Sequence, residues 1–188
     1  MLRRHIKGKA KLDPMPPSGK ILNKMTVSNG TSVKTISDKK PVLLIFLRHF
    51  GCTFCREALA EIAKKKTKIE SEGVEIVFVH MSDKENADKY FKRYGLEGAL
   101  HICDPKCLFY QSFGLVKGSF NQLFGLQVWM RGLDAGVLKG HGIGNYIGDG
   151  FQMPGVFMIF KGEIRESFIH KYASDRPNYE QLANCCAV

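Results

Sequence analysis

Hydrophobic residues of the chain fall into short runs separated by segments with helical spacing. Residues 42–47 are apolar at consecutive positions, a pattern typical of a strand that is buried on both faces of a sheet. Residues 74–80 and 99–103 have the same character and follow at intervals that a helix can fill. Near the C-terminal end, residues 156–160 and 164–170 flank a Lys-Gly turn and predict a β-hairpin.

The segments between these runs have the pattern of amphipathic helices. After the first run, apolar residues recur on one helical face, lysines occupy the opposite face, and Gly73 fits the position just past the helix end. Residues 82–85, Ser-Asp-Lys-Glu, form a capping box that opens a second helix ending near Gly95. Two further helices are predicted over residues 119–138 and 179–185.

Strands that alternate with helices imply parallel pairing, and the closing hairpin adds antiparallel strands. We therefore predict an α/β fold with a central mixed sheet flanked by helices. The 188 residues, 44% of them hydrophobic, suffice for a single domain over residues 21–188 with a glycine-rich insertion around 116–152. Residues 21–37, which contain an Asn-Gly turn, predict a short hairpin. No stretch approaches the roughly 18 to 20 apolar residues of a membrane span, so no membrane partner is expected.

The net charge of +10 is unevenly distributed along the chain. Half of it lies in residues 1–20, a basic segment containing Pro-Met-Pro-Pro that we expect to be an irregular leader. Much of the rest lies on the lysine face of the first long helix. Since the leader lacks the aromatic residues of a single-strand binder, no nucleic-acid partner is predicted.

Six cysteines occur as three close pairs: 52 with 55, 103 with 107, and 185 with 186. No secretory signal precedes them, which predicts a cytoplasmic, reducing compartment where paired cysteines serve redox or metal chemistry. Only the first pair has the C-x-x-C spacing of a redox dithiol.

Cys52 and Cys55 lie where a buried strand ends and a helix begins. The free N–H groups and partial positive charge of a helix N-terminus favour thiolate over thiol. Arg48, His49 and Arg56 are expected to add positive potential. Cys52, at the N-cap, is then the exposed nucleophile, and Cys55 resolves the mixed disulfide.

Other interpretations stay open at this point. Cys52 and Cys55 could join Cys103 and Cys107 as four zinc ligands, although we predict no metal or cofactor and expect the second pair to be packed. His49 could be a general base or a packed histidine at a strand end. Residues 140–150 lack a phosphate-binding motif and suggest a flexible wall or lid over the dithiol. A non-catalytic binding module, zinc-stabilised or basic-tailed, is the alternative to a redox enzyme.

The dithiol segment, together with Met153-Pro154-Gly155 before the terminal hairpin, resembles a thioredoxin-fold protein. More narrowly, the chain resembles the peroxiredoxin-like, selenoprotein L-like branch of the alkyl hydroperoxide reductase/thiol-specific antioxidant superfamily. The matching stretches are residues 48–57, 128–132, 139–142, 148–155 and 173–177.

This resemblance implies a thiol-disulfide oxidoreductase or antioxidant protein with a redox-active disulfide bond. Its substrate would be a peroxide or a disulfide, its reductant thioredoxin or glutathione, and some members reduce prostaglandin endoperoxides. It also implies that Pro154 is a cis-proline facing the dithiol, with Met153 beside it. Arg131, next to Trp129, either holds a substrate oxyanion or carboxylate or forms a surface pair. The resemblance leaves the oligomeric state open.

The chain departs from typical peroxiredoxins in one motif. Their P-x-x-x-[TS]-x-x-C signature would place Pro and Thr or Ser at Arg48 and Cys52 when counted from Cys55, and at Ile45 and His49 when counted from Cys52. Neither register matches.

Overall fold

Five strands form one mixed sheet in the computed structural model, which describes residues 18–125 and 149–185. The spatial order is β3-β2-β1-β4-β5. β1 pairs in parallel with β2 and β2 with β3, whereas β4 is antiparallel to β1 and β5 is antiparallel to β4. The strands are β1 Val42–Phe46, β2 Glu75–His80, β3 Leu100–Cys103, β4 Gly155–Phe160 and β5 Glu163–Ile169. The predicted mixed α/β sheet is confirmed.

Helices cover both faces of this sheet. In chain order the described helices are α1 Gly19–Lys24, α2 Val33–Lys39, α3 Thr53–Ser71, α4 Lys84–Arg93, α5 Leu108–Ser112, α6 Phe120–Phe124 and α7 Tyr179–Asn184. The side chains of β1 alternate between two cores, with Leu43 and Ile45 in one and the other three residues of the strand in the second. The first core is completed by α3, α4 and α7, and the second by α1, α2 and α5. Burial on both faces explains the continuous apolar run of β1.

Residues 21–37 differ from the predicted hairpin. They form α1 and α2, with the Asn-Gly turn between them and a single antiparallel bridge from Thr26 to Ser32. The reason is local, because the Ser32 hydroxyl accepts the Thr35 N–H at 3.1 Å and so caps α2. Apolar side chains at helical spacing, including Val33, pack these helices against the second core.

The helix after β2 begins one residue later than the capping box predicts. Asp83 is the N-cap, and its carboxylate accepts the Asn86 N–H at 2.8 Å. The Ser82 hydroxyl instead accepts from the Asn86 side-chain amide at 2.9 Å. Both predicted helix stops are correct, since Gly73 and Gly95 follow their helices with φ of 79° and 73°.

Two short segments, residues 116–118 and 151–153, lie side by side, and we call them the neck. Lys117 and Gln152 form an antiparallel bridge. The Gly118 N–H donates to the Phe151 carbonyl at 2.7 Å, and the Met153 N–H donates to the Val116 carbonyl at 3.2 Å. These contacts hold the two segments of the neck together immediately before β4 begins.

Several expectations fall wholly or partly outside the described residues. The leader does so through residue 17, and Gly19 and Lys20 belong to α1. Of the helix predicted over 119–138, the structure describes only α6, which opens with a capping box between Ser119 and Gln122. Arg131 and the glycine-rich run up to residue 148 also lie outside. Within the described part of the chain, every helix is too short or too polar to cross a membrane.

Candidate redox-active site

The two cysteines of the C-x-x-C motif lie at the junction between β1 and α3, as predicted. Beyond β1, the Leu47 N–H still donates to the Val79 carbonyl of β2 at 2.9 Å. The chain then turns so that Cys52 becomes the N-cap of α3, with extended backbone angles of −74° and 123°. Cys55 is the third residue of the helix and faces back toward the strand end, where its Sγ accepts the Arg48 N–H at 3.2 Å.

Neither thiol is exposed, which corrects the expectation that the N-cap position leaves Cys52 open to solvent. The exposed fraction is 8% for Cys52 and 5% for Cys55. The side chains of the two cysteines are hydrogen-bonded to each other, and both line a cleft instead of the outer surface. A substrate must therefore enter this cleft to reach sulfur.

The pair is electrostatically asymmetric. The pKa of Cys52 is lowered to about 6, and the hydrogen bond from Cys55 is the largest cause. The Arg48 charge and the N–H groups of Phe54 and Cys55 also lower this pKa, whereas burial raises it. The pKa of Cys55 is raised well above its usual value by the same hydrogen bond, by burial and by the charge on Cys52. At neutral pH the negative charge resides on Cys52 and the shared proton on Cys55.

The three neighbouring basic residues have different roles from one another. Arg48 is buried, lines the cleft and lowers the pKa of Cys52. His49 is also buried, and burial followed by the Arg48 charge lowers its pKa to about 4. It is neutral at neutral pH, so it does not add the positive potential that we expected. Arg56 lies 5.9 Å from the centroid of the Tyr90 ring, among residues that do not line the described cleft.

The cleft has an apolar body and a charged rim. It encloses about 500 Å³ of space including its open mouth. At the rim, the Arg176 guanidinium binds the Glu57 carboxylate through two contacts, one of them from Nε to Oε2 at 3.1 Å. Its apolar lining includes Phe54, Ala58, Pro154, Val156, Ala173, Pro177 and Tyr179.

Sequence reasoning missed the ion pair between Glu57 and Arg176. The two residues are 119 positions apart, and helix α3 supplies the carboxylate while the segment before α7 supplies the guanidinium. The one available signal was the Ala-Ser-Asp-Arg-Pro stretch at 173–177, which contributes to the family resemblance but to which the sequence assigns no function. His170, also in the cleft and with its pKa lowered by burial to about 4, carried no signal.

Pro154 lines the cleft together with Cys52, as the resemblance implied, but its peptide bond is trans. Every peptide bond among the described residues is trans. The two residues before Pro154 are held by the segment that precedes α6, since the Gln152 side-chain amide donates to the Leu115 carbonyl at 2.9 Å and the Met153 N–H to the Val116 carbonyl at 3.2 Å. Met153 is buried in a small separate cluster with Leu123.

The other cysteines that the structure describes do not join the dithiol. Cys107 is packed as expected, with its Sγ 3.3 Å from Met81 Sδ, whereas Cys103 is exposed at the end of β3. Among residues 18–125 and 149–185, ligand atoms converge within 4.8 Å in one group, which is His80, His101 and Cys103. The four-thiolate arrangement considered above is not found there.

Comparison with known proteins connects this site to a family. The family model described as "AhpC/TSA antioxidant enzyme" matches residues 61–174, more than half of the chain. The chain belongs to the AhpC/TSA family. A prostamide/prostaglandin F synthase of Salmo salar is 31% identical over 171 residues, covering 87% of this chain and 80% of the relative.

One further relative supports membership of the peroxiredoxin-like part of the AhpC/TSA family, and a solved structure supports the fold. Peroxiredoxin-like 2A of Rattus norvegicus is 28% identical, covering 69% of this chain and 55% of that protein. The solved bacterioferritin comigratory protein of Xanthomonas campestris superposes with a TM-score of 0.60 and covers 92% of this chain and 93% of its own. At 11% identity this likeness shows the thioredoxin-like fold alone. The AhpC/TSA match begins inside α3, after both cysteines of the motif.

Proposed function

We propose that this protein is a thiol-dependent oxidoreductase in which Cys52 attacks a peroxide or disulfide and Cys55 closes an intramolecular disulfide. The observation that carries the proposal is the asymmetric hydrogen-bonded pair at the start of α3, inside a cleft. Membership of the AhpC/TSA family supports thiol redox chemistry in general. The assignment of the two sulfurs rests on the local geometry.

The first step suits a buried thiolate. The sulfur of Cys52 attacks one oxygen of the peroxide, the O–O bond breaks, and the other oxygen leaves as an alcohol or water after taking up a proton. Cys52 becomes a sulfenic acid, so sulfur loses the two electrons that the peroxide gains. Arg48 lines the cleft, where its positive charge stabilises the negative charge that develops on the departing oxygen.

The second step follows from the coupling between the two thiols. The charge on Cys52 is one of the influences that keep Cys55 protonated, and that charge disappears once Cys52 is oxidised. Cys55 then loses its proton more easily and attacks the Cys52 sulfur, releasing water and forming the disulfide. The Arg48 N–H that bonds to Cys55 Sγ stabilises the developing thiolate. An external dithiol of the thioredoxin type, or glutathione, returns both sulfurs to the reduced state.

A second candidate substrate class is an apolar endoperoxide. The body of the cleft is lined mainly by apolar side chains, and the Salmo salar relative is named for prostaglandin F synthesis. Reduction of a cyclic O–O bond uses the same two electrons and yields two hydroxyl groups. The apolar lining favours such a bulky substrate over hydrogen peroxide.

The test compares the wild-type protein with Cys52→Ser and Cys55→Ser in stopped-flow reactions with hydrogen peroxide, an organic hydroperoxide and a cyclic endoperoxide. We expect Cys52→Ser to abolish the reaction and Cys55→Ser to retain the first step while accumulating sulfenic acid, which a dimedone-type reagent traps. Mass spectrometry of the oxidised wild type should show a 52–55 disulfide. A folded wild-type protein without this bond after mild oxidation would contradict the proposal.

A further inference from the structure

A second cluster of reactive side chains lies at the same edge of the sheet as the dithiol but outside its cleft. His80 ends β2, Cys103 ends β3, and the two are register partners. His101 precedes Cys103 by two residues, so its side chain projects from the same face of the strand. One nitrogen of each imidazole and the Cys103 Sγ lie within 4.8 Å of one another.

A carboxylate orients the two imidazole rings. The Asp88 Oδ1 lies 3.1 Å from His101 Nε2, and His101 Nδ1 lies 2.8 Å from His80 Nε2. Since a carboxylate only accepts, His101 Nε2 carries the proton and His101 Nδ1 presents its lone pair toward His80. A histidine whose second nitrogen donates to a carboxylate is the usual support of a metal ligand in proteins.

We infer that His80, His101 and Cys103 bind a zinc ion. Two imidazole nitrogens and one thiolate are ligands that Zn²⁺ prefers, and a water molecule completes the tetrahedron. The ion takes the place of the proton between the rings: His80 moves that proton from Nε2 to Nδ1, and Cys103 releases its thiol proton to solvent. The two nitrogens, now 2.8 Å apart, need to separate only to roughly 3.3 Å for Zn–N bonds of about 2.0–2.1 Å.

The ion has a route to the site from solvent. Both rings are buried, whereas Cys103 is exposed. A surface hollow of about 560 Å³, including its open mouth, is lined by His101 and Cys103. Two lysines, Lys24 and Lys84, also line this hollow, and Lys84 pairs with Asp88 at 2.9 Å.

Zinc binding is to be measured in a Cys52→Ser/Cys55→Ser background, because the dithiol is itself able to bind zinc. A chromogenic chelator competes for Zn²⁺ alone, and we expect about one tightly held ion per chain. Cys103→Ser should weaken binding by more than about 100-fold, and Asp88→Asn, which removes the charged acceptor of His101 and the partner of Lys84 but no zinc ligand, by about 10-fold. The matched control is Cys185→Ser, since Cys185 is another exposed thiol, and it should leave the affinity unchanged.

A second measurement identifies the sulfur ligand. Co²⁺ in place of Zn²⁺ should give a thiolate-to-metal charge-transfer band that Cys103→Ser removes and Cys185→Ser keeps. The inference is overturned if the background protein binds no zinc, or if a folded Cys103→Ser protein binds as tightly as its parent. Circular dichroism shows whether the variant is folded. Because Cys103 is exposed, we expect its replacement by serine to leave the fold intact.

Discussion

The hydrogen bond from Cys55 to Cys52 makes a quantitative prediction about the reactive thiol. It is the largest of the influences that lower the pKa of Cys52 to about 6. A hydrogen bond to a charged group contributes roughly 1.5–3 kcal/mol. Since one pKa unit corresponds to about 1.4 kcal/mol, removing the donor with Cys55→Ala should raise the pKa of Cys52 by about 1–2 units.

Cys55→Ser is the matched variant, because its hydroxyl retains a donor at the same position. We expect its Cys52 pKa to lie between those of the wild type and Cys55→Ala. The assay is the pH dependence of Cys52 alkylation by iodoacetamide, followed residue by residue by mass spectrometry so that other thiols do not interfere. Cys185→Ser serves as the control and should leave the midpoint unchanged.

An unchanged midpoint in Cys55→Ala would refute this explanation. It would assign the low pKa to the Arg48 charge and the helix N-terminus, both of which remain in the variant. A midpoint that rises equally in Cys55→Ala and Cys55→Ser would show that sulfur itself, and not a donor, is required.

Three further predictions concern the surroundings of the site. Tyr110→Phe should lower the free energy of unfolding, measured in urea, by about 1–2 kcal/mol, because the buried hydroxyl donates to carbonyls at the ends of two neighbouring strands. A variant as stable as the wild type would contradict this. Arg176→Gln should lower the free energy of unfolding by roughly 1–3 kcal/mol, because it leaves the nearly buried Glu57 carboxylate without its partly exposed guanidinium partner. A urea denaturation midpoint equal to that of the wild type would argue against this. Burial lowers the pKa of His170 from 6.5 to about 4. Between these two pH values the unfolded chain carries a proton on His170 that the folded chain lacks. Stability should therefore fall as the pH drops through that window, and His170→Gln should make the fall shallower in urea titrations at several pH values.

The sheet was largely predictable because β1, β2 and β4 are short and largely apolar on consecutive positions, and because a Lys-Gly turn joins β4 to β5. Residues 42–47 could form little else than a doubly buried strand, and the C-x-x-C motif directly after it placed both sulfurs at a helix start. The helices α1 and α2 were not predictable in this way. Their apolar residues are few, and the Ser32 cap outweighs the Asn-Gly turn signal.

The surroundings of the thiols depend on contacts between distant parts of the chain. The rim pair joins Glu57 to Arg176, and the histidine–cysteine group depends on the register of β2 against β3. No periodicity along the chain encodes either. Burial of Cys52 has the same origin, since Pro154 in the cleft wall lies just before β4, about one hundred residues later in the chain.

The neck, residues 116–118 and 151–153, lies between the sheet and the segment formed by residues 119–150. Because the two ends of the intervening segment are already held side by side, doubling its length costs only about 0.6 kcal/mol of loop-closure entropy. Insertions and deletions there leave the strand register and both cysteines where they are. The length of this segment can therefore vary while the sheet and the sulfur chemistry of the dithiol stay the same.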